Sequence, residues 1–172
     1  EALATAKLQL DERVKAWEKI VVGELQPIYE KRDIREKPDI WILRGEFSTI
    51  AKLKEMLDNT KTELMIAAPT FPKALADTAM PILKRLHGNN VKIFLMISRQ
   101  SAEWNLNELE SFAEVRVRDQ MFGGGVICDG KEALLMLGED KPSLVIWSNH
   151  VGLVKFARDY FQYLWSSSEE LP

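Results

Sequence analysis

A chain of 172 residues, 46% hydrophobic and 9% aromatic, can bury a sizeable core and does not belong to the disordered class. Its 26 acidic residues outnumber its 23 basic ones, giving a formal charge of -3, so any DNA contact falls to another part of the protein. One cysteine excludes an internal disulfide, two histidines without clustered partners supply no ligand set for a metal or cofactor, and no apolar run reaches the roughly 18 residues of a membrane span.

No basic-then-apolar leader opens the chain, and the single thiol suits a reducing cytoplasm. The sequence begins at Glu1, inside a helical pattern and without methionine, which suggests a fragment of a longer protein. From Ala2 to Tyr29 the residues Leu3, Leu10, Val14, Trp17, Val21 and Ile28 recur at steps of three, four or seven, a heptad spacing interrupted by Lys7 and Glu24. This predicts a dimerisation helix of coiled-coil type, although an amphipathic helix folded back on its own domain would carry the same stripe. Pro27 should kink or end it, and Lys31 to Pro38 reads as a charged connector. The expected division is a dimerisation and linker segment over 1–37 and an α/β domain over 38–172.

Ile40 to Leu43 is a run of β-formers broken by Gly45, after which Phe47, Ile50, Leu53 and Leu57 recur at helical spacing as far as Asn59. Glu63 to Ala68 predicts the next strand, Leu75 to Leu86 a helix ended by His87-Gly88-Asn89, and Val91 to Ile97 a third strand. Asn107 to Phe112 predicts a short helix and the alternating Val115 to Arg118 a strand. Ser143 to Trp147 predicts a later strand, and His150 to Trp165 the last helix. Strands alternating with helices imply an α/β fold with a largely parallel sheet and helices on both faces.

The stretch from Met121 to Leu137 departs from that alternation. Gly123 to Gly125 runs into Val126, Ile127 and Cys128, Asp129-Gly130 is a type I′ turn signal, and Ala133 to Leu137 returns as the second strand of a hairpin. Cys128 reads as a small buried hydrophobe. In an open α/β sheet, ligands settle at the carboxyl ends of parallel strands, here near Thr70, Arg99 and Arg118, where a guanidinium can hold a phosphate or carboxylate. His150 could serve as a general base, but fits more simply as a first-turn residue beside a cap supplied by Ser148 or Asn149. His87 fits a helix C-terminus. Trp41, Trp147 and Trp165 are expected in the core, whereas Trp104, in a polar loop, is a candidate stacking surface for a sugar.

The hairpin resembles the second half of a phospholipase D-like domain, in which a strand carries His-x-Lys-x-x-x-x-Asp. Set on Asp129, the pattern puts Phe122 at the position of the histidine nucleophile and Gly124 at that of the lysine, so neither lone pair nor charge is supplied. Trp147-Ser148-Asn149 stands for the later serine and asparagine. The order of Ile40-Trp41-Ile42-Leu43-Arg44-Gly45, Glu63 to Pro69, Arg116 to Asp119, Asp129 to Ala133 and Tyr160-Phe161 is similar to the TrmB-type transcriptional regulators of archaea. That resemblance implies a non-catalytic effector domain of phospholipase D-like fold, a homodimer, and DNA contact through an N-terminal winged helix-turn-helix that this sequence lacks. The implied effector is small and anionic or sugar-like, held by Thr70, Arg99, Arg118, Phe122, Gly124, Ser148 and Asn149. A phosphodiesterase with a histidine recruited from elsewhere and a ligand-free dimer scaffold are the alternatives.

Overall fold

The structure, a computed structural model, describes residues 40–69, 73–99, 106–138 and 144–170. The heptad positions Leu3, Leu10, Val14, Trp17, Val21 and Ile28 lie outside the described residues, as do Thr70 and Trp104. In chain order the elements are β1 (Ile40–Leu43), α1 (Glu46–Asn59), β2 (Glu63–Ala68), α2 (Lys73–Gly88), β3 (Lys92–Ile97) and α3 (Leu106–Glu110). They continue with β4 (Glu114–Val117), β5 (Gly123–Cys128), β6 (Glu132–Leu137), β7 (Leu144–Ser148), α4 (Val151–Ser166) and β8 (Glu169–Glu170).

The strands form one open sheet in the order β1-β7-β6-β5-β2-β3-β4-β8. Only β2 with β3 and β3 with β4 pair parallel; the other five neighbouring pairs are antiparallel. The sheet is therefore mixed, not largely parallel. Strand and helix alternate along the chain as expected, but alternation fixes neither the neighbour nor the direction of a strand. β1 stands at one margin, and after α1 the chain resumes in the middle of the sheet, where the hairpin lies back against β2.

Period-two side-chain alternation sorts the core into two layers. Leu64, Ile66, Ile93, Leu95, Val115, Val117, Val126, Cys128 and Leu134 face α1, α2 and α3, meeting Met56, Leu57, Leu83, Leu86 and Leu109. Met65, Met96, Ile127 and Ala133 face the opposite way, onto Val154, Ala157, Phe161 and Leu164 of α4. Trp165 caps this second layer, edge-on to Phe94 at 5.6 Å and stacked with Phe161 at 5.5 Å between ring centroids. Trp41, expected in the core, is 54% exposed, because β1 is an edge strand.

The hairpin turn forms as its two residues require. Asp129 and Gly130 have φ of 54° and 63°, and the N–H of Lys131 donates to the Cys128 carbonyl at 2.9 Å. β5 extends back through all three glycines, so Gly123 to Gly125 are strand residues.

Candidate functional site

The register assigns the candidate residues to two ends of the sheet. Gly124 pairs with Met136 near the carboxyl ends of β2 and β3, whereas Ser148 pairs with Ala133, which is opposite Ile127. Three residues along β5 and two strand spacings across separate Gly124 from Ser148 by roughly 14 Å. Ser148 and Asn149 thus lie toward the hairpin-turn end, away from Arg99, Arg118, Phe122 and Gly124. One cleft does not gather all of them.

At the end shared by Arg99, Arg118, Phe122 and Gly124, β5 packs so tightly on its neighbours that Gly124 has no room for a side chain. A Cβ added to Gly124 would sit 2.4 Å from the Ala67 carbonyl oxygen and 2.8 Å from Cδ of Pro69, and one on Gly125 would sit 2.4 Å from the Leu134 oxygen. The glycines let β5 approach its neighbours closely on both sides. Gly124 therefore does not leave the volume of a lysine side chain vacant. Phe122 is 66% exposed.

The two candidate arginines are engaged by the protein itself. Arg99 pairs with Asp119, Nε to Oδ2 at 3.2 Å, and with Glu169, while its backbone N–H donates to Asp119 at 3.0 Å. Arg118 donates through Nε to the Gln120 carbonyl at 3.0 Å and through one terminal nitrogen to the Ser167 hydroxyl at 2.7 Å. Arg116 completes the set, donating to the Trp165 carbonyl at 2.9 Å, lying 4.9 Å from that indole's centroid, and pairing with Glu170 at 3.4 Å. Together they clamp the segment from Trp165 to Glu170, whose last two residues form β8 against β4. Arg116, Glu169 and Glu170 were not singled out by the sequence, since two glutamates carry no strand signal.

At the hairpin-turn end, Asp129 is the chemically distinctive group. Its Oδ1 accepts from the Thr62 N–H and hydroxyl, each at 2.8 Å, and from the Glu63 N–H at 3.0 Å, and Oδ2 accepts from the Lys61 N–H at 3.0 Å. Burial pushes this carboxyl up, but the donors of Glu63, Thr62 and Lys61 outweigh it and hold the group below the ordinary aspartate value. Beside it, burial pushes the Cys128 thiol up to about 12, which keeps it protonated and inert, as expected of a buried small hydrophobe. A cleft of about 220 Å³ opens here between the end of α1 and the turn, lined by Asn59, Thr60, Lys61, Asp129, Lys131 and Glu132 among others. Its walls are 68 residues apart in sequence at Lys61 and Asp129, so no local pattern announces it.

His150 is itself the N-cap of α4. Its Nδ1 accepts from the N–H groups of Gly152 at 3.1 Å and Leu153 at 3.2 Å, and its own N–H donates to the buried Ser148 hydroxyl at 2.9 Å. The cap thus falls on the histidine and not on Ser148 or Asn149. His87 ends α2, its ring centroid 6.4 Å from that of Phe112. Among the described residues no group of three or more His, Cys, Asp or Glu side chains is placed to hold a metal ion, and no helix is long and apolar enough to cross a membrane.

Solved structures similar to this chain share its sheet. TrmBL2, an archaeal chromatin protein, matches at a TM-score of 0.64 and 18% identity over 98% of this chain and 68% of its own. NucT from Helicobacter pylori matches at 0.57 and 13% identity, over 78% of this chain and 99% of its own. Nuc from Salmonella typhimurium, a phospholipase D family member, matches at 0.55 and 14%, with the same coverage. The fold is thus phospholipase D-like. No curated protein matches the chain. The family described as "Transcriptional regulator TrmB, EBD N-terminal subdomain" matches residues 39–171, and this chain belongs to it.

Proposed function

We propose that this chain is the dimerising, effector-sensing part of a TrmB-type regulator, without phosphodiesterase chemistry of its own. The observation that carries the reading is the match of residues 39–171 to the TrmB family on a phospholipase D-like fold; the absence of chemistry rests on the sequence pattern that, set on Asp129, puts Phe122 and Gly124 at the histidine and lysine positions. Segment 1–37 is the linker and dimerisation helix, 38–172 the sensing domain, and DNA is reached through another part of the protein. TrmBL2, whose structure is described as showing a novel mode of DNA binding, is consistent with a DNA-associated role for the whole protein.

The effector class we assign is a small anion, a carboxylate or a phosphate ester. Arg99 and Arg116 support this assignment, because they already hold Glu169 and Glu170 at one end of the sheet, with Arg118 beside them on Ser167. An effector would compete with those carboxylates for the guanidinium groups, and would thereby loosen or reset the segment after α4. Release of that segment is the conformational change that a dimer could transmit to its DNA-binding parts.

A thermal-shift screen of the full chain against sugars, sugar phosphates, nucleotides and carboxylates tests the sensing role, with stabilisation by an anionic class expected. Light scattering tests the dimer: a chain that stays monomeric at high concentration removes that part of the reading. Turnover of a generic phosphodiester above buffer, lost in His150→Ala or His87→Ala, would instead establish an enzyme.

A further inference from the structure

The two margins of the sheet are built differently. β8 is two residues long, and both are glutamates, one engaged by Arg99 and the other by Arg116. Short length and charge are the usual protections of an edge against pairing with another chain. β1, at the other margin, is Ile40-Trp41-Ile42-Leu43, with no charge, proline or glycine, and among the described residues it pairs only with β7. Ile40 and Ile42 point to one face of the sheet and Trp41 to the other, yet they are 57%, 59% and 54% exposed. Only Leu43, the last residue of the strand, packs against the core; among the described residues more than half of each of the other three side chains stays open.

The helix that follows continues the same surface. Phe47, Ile50, Leu53 and Leu57 make one apolar stripe on α1, but only its second half meets the core: Leu57 is buried and Leu53 packs against the cluster, while Phe47 is 86% and Ile50 40% exposed. The sequence treats the stripe as a single core-facing surface, and this domain covers half of it. Five large hydrophobic residues thus stand exposed within the eleven positions from Ile40 to Ile50. They present roughly 600 Å² per copy, at the upper end for a lone apolar patch and near the ~800 Å² per partner of a standard interface once the outward backbone of β1 is added.

We propose that β1 and the first turns of α1 form a docking surface for a second copy of this chain, the two β1 strands pairing antiparallel across a two-fold axis. A two-fold axis normal to the sheet sets two copies of one strand antiparallel, so a uniform apolar edge is its own complement. The pairing joins two eight-stranded sheets and buries Trp41, Phe47 and Ile50 on one face and Ile40 and Ile42 on the other. It is separate from pairing through the heptad stripe, and either contact can fail without the other.

Hydrogen–deuterium exchange on the full chain reads this directly. Exchange of the peptide over Ile40 to Leu43 is expected to slow by about tenfold as the protein is concentrated, while peptides from β2 and β3 keep constant protection. Ile42→Lys should abolish that gain, with Ile40→Lys repeating the test if the first variant disturbs β1 itself. Protection that does not change with concentration overturns the proposal, whether it is high because another segment or partner covers the edge or low because nothing does. Val14→Asp, in the heptad stripe, separates the two contacts. Concentration-dependent protection of β1 persists in it under this proposal, and its loss there would assign self-association to the stripe alone.

Discussion

The hydroxyl and the N–H of Thr62 both donate to one oxygen of Asp129 at 2.8 Å, so a single carboxylate fixes the start of β2 against the tip of the β5–β6 hairpin. The contact is reciprocal, since the Asp129 N–H donates to the Glu63 carbonyl at 2.8 Å. Asp129 thereby serves the fold in two ways, taking the positive φ of the turn and collecting the donors of a neighbouring loop.

Asp129→Asn should keep the turn, because an asparagine also tolerates positive φ, but lose the charge that those donors favour. A destabilisation of about 2 kcal/mol at neutral pH is expected. The sign of its pH dependence follows from the depressed pKa. Folding stability from this carboxylate is fully present above the ordinary aspartate value and is lost as pH falls through the lower folded value. Parent and variant should therefore converge in acid. Thermal unfolding at neutral pH and again in acid below the ordinary aspartate value checks this, and a gap that widens in acid would contradict it.

Gly124→Ala tests whether a vacant site exists in place of the phospholipase D lysine. The added Cβ would meet the Ala67 oxygen at 2.4 Å, a backbone atom in the middle of a sheet that cannot move aside alone. A loss of about 2 to 3 kcal/mol is expected, and at least as much for Gly124→Lys. The penalty is a collision and not a φ restriction, since Gly124 is not among the positive-φ glycines. Denaturant unfolding measures it, and a Gly124→Ala chain as stable as the parent would restore the idea of an open cleft there.

His150→Ala should cost about 1 kcal/mol through the loss of two capping bonds at the start of α4. His150→Asp should recover most of that, because a carboxylate also accepts from the first-turn N–H groups and suits the positive end of the helix. Melting temperatures of the three chains decide the matter. Equal damage from both substitutions would show that the imidazole does something a cap does not.

Local chemistry made much of this fold legible. The Asp129-Gly130 turn, the span of β1 and the apolar face of α4 all follow from φ requirements or periodicity within a few residues. The order of strands did not, because β1 and β7, or β2 and β5, meet across long stretches of chain that no local pattern links. The same limit hid how far apart the candidate residues lie. Ser148 and Gly124 look like parts of one motif in sequence, and only the register shows them at different levels of the sheet. Arg99 and Arg118 were correctly read as strand-end residues at one end, but their partners Glu169 and Ser167 lie beyond the last helix, about 50 to 70 residues away.

Those partners define the remaining prediction. Glu169 and Glu170 are exposed carboxylates on arginines, and such surface pairs are worth up to about 1 kcal/mol each. An external anion that displaces both must overcome up to about 2 kcal/mol, and a mid-range cost of about 1.4 kcal/mol corresponds to about a tenfold loss of affinity. Glu169→Gln combined with Glu170→Gln removes the competitors while leaving Arg99, Arg116 and Arg118 in place. Calorimetric titration with a sugar phosphate should then give an affinity about tenfold higher in the double variant than in the parent, and Arg99→Ala should reverse the gain. Rising salt should weaken the interaction in both chains, since the arginines are at the surface. Equal affinity in parent and variant, or binding that survives Arg99→Ala with Arg118→Ala, would move the effector away from this end of the sheet. The polar cleft beside Lys61 and Lys131 would then be the next place to look.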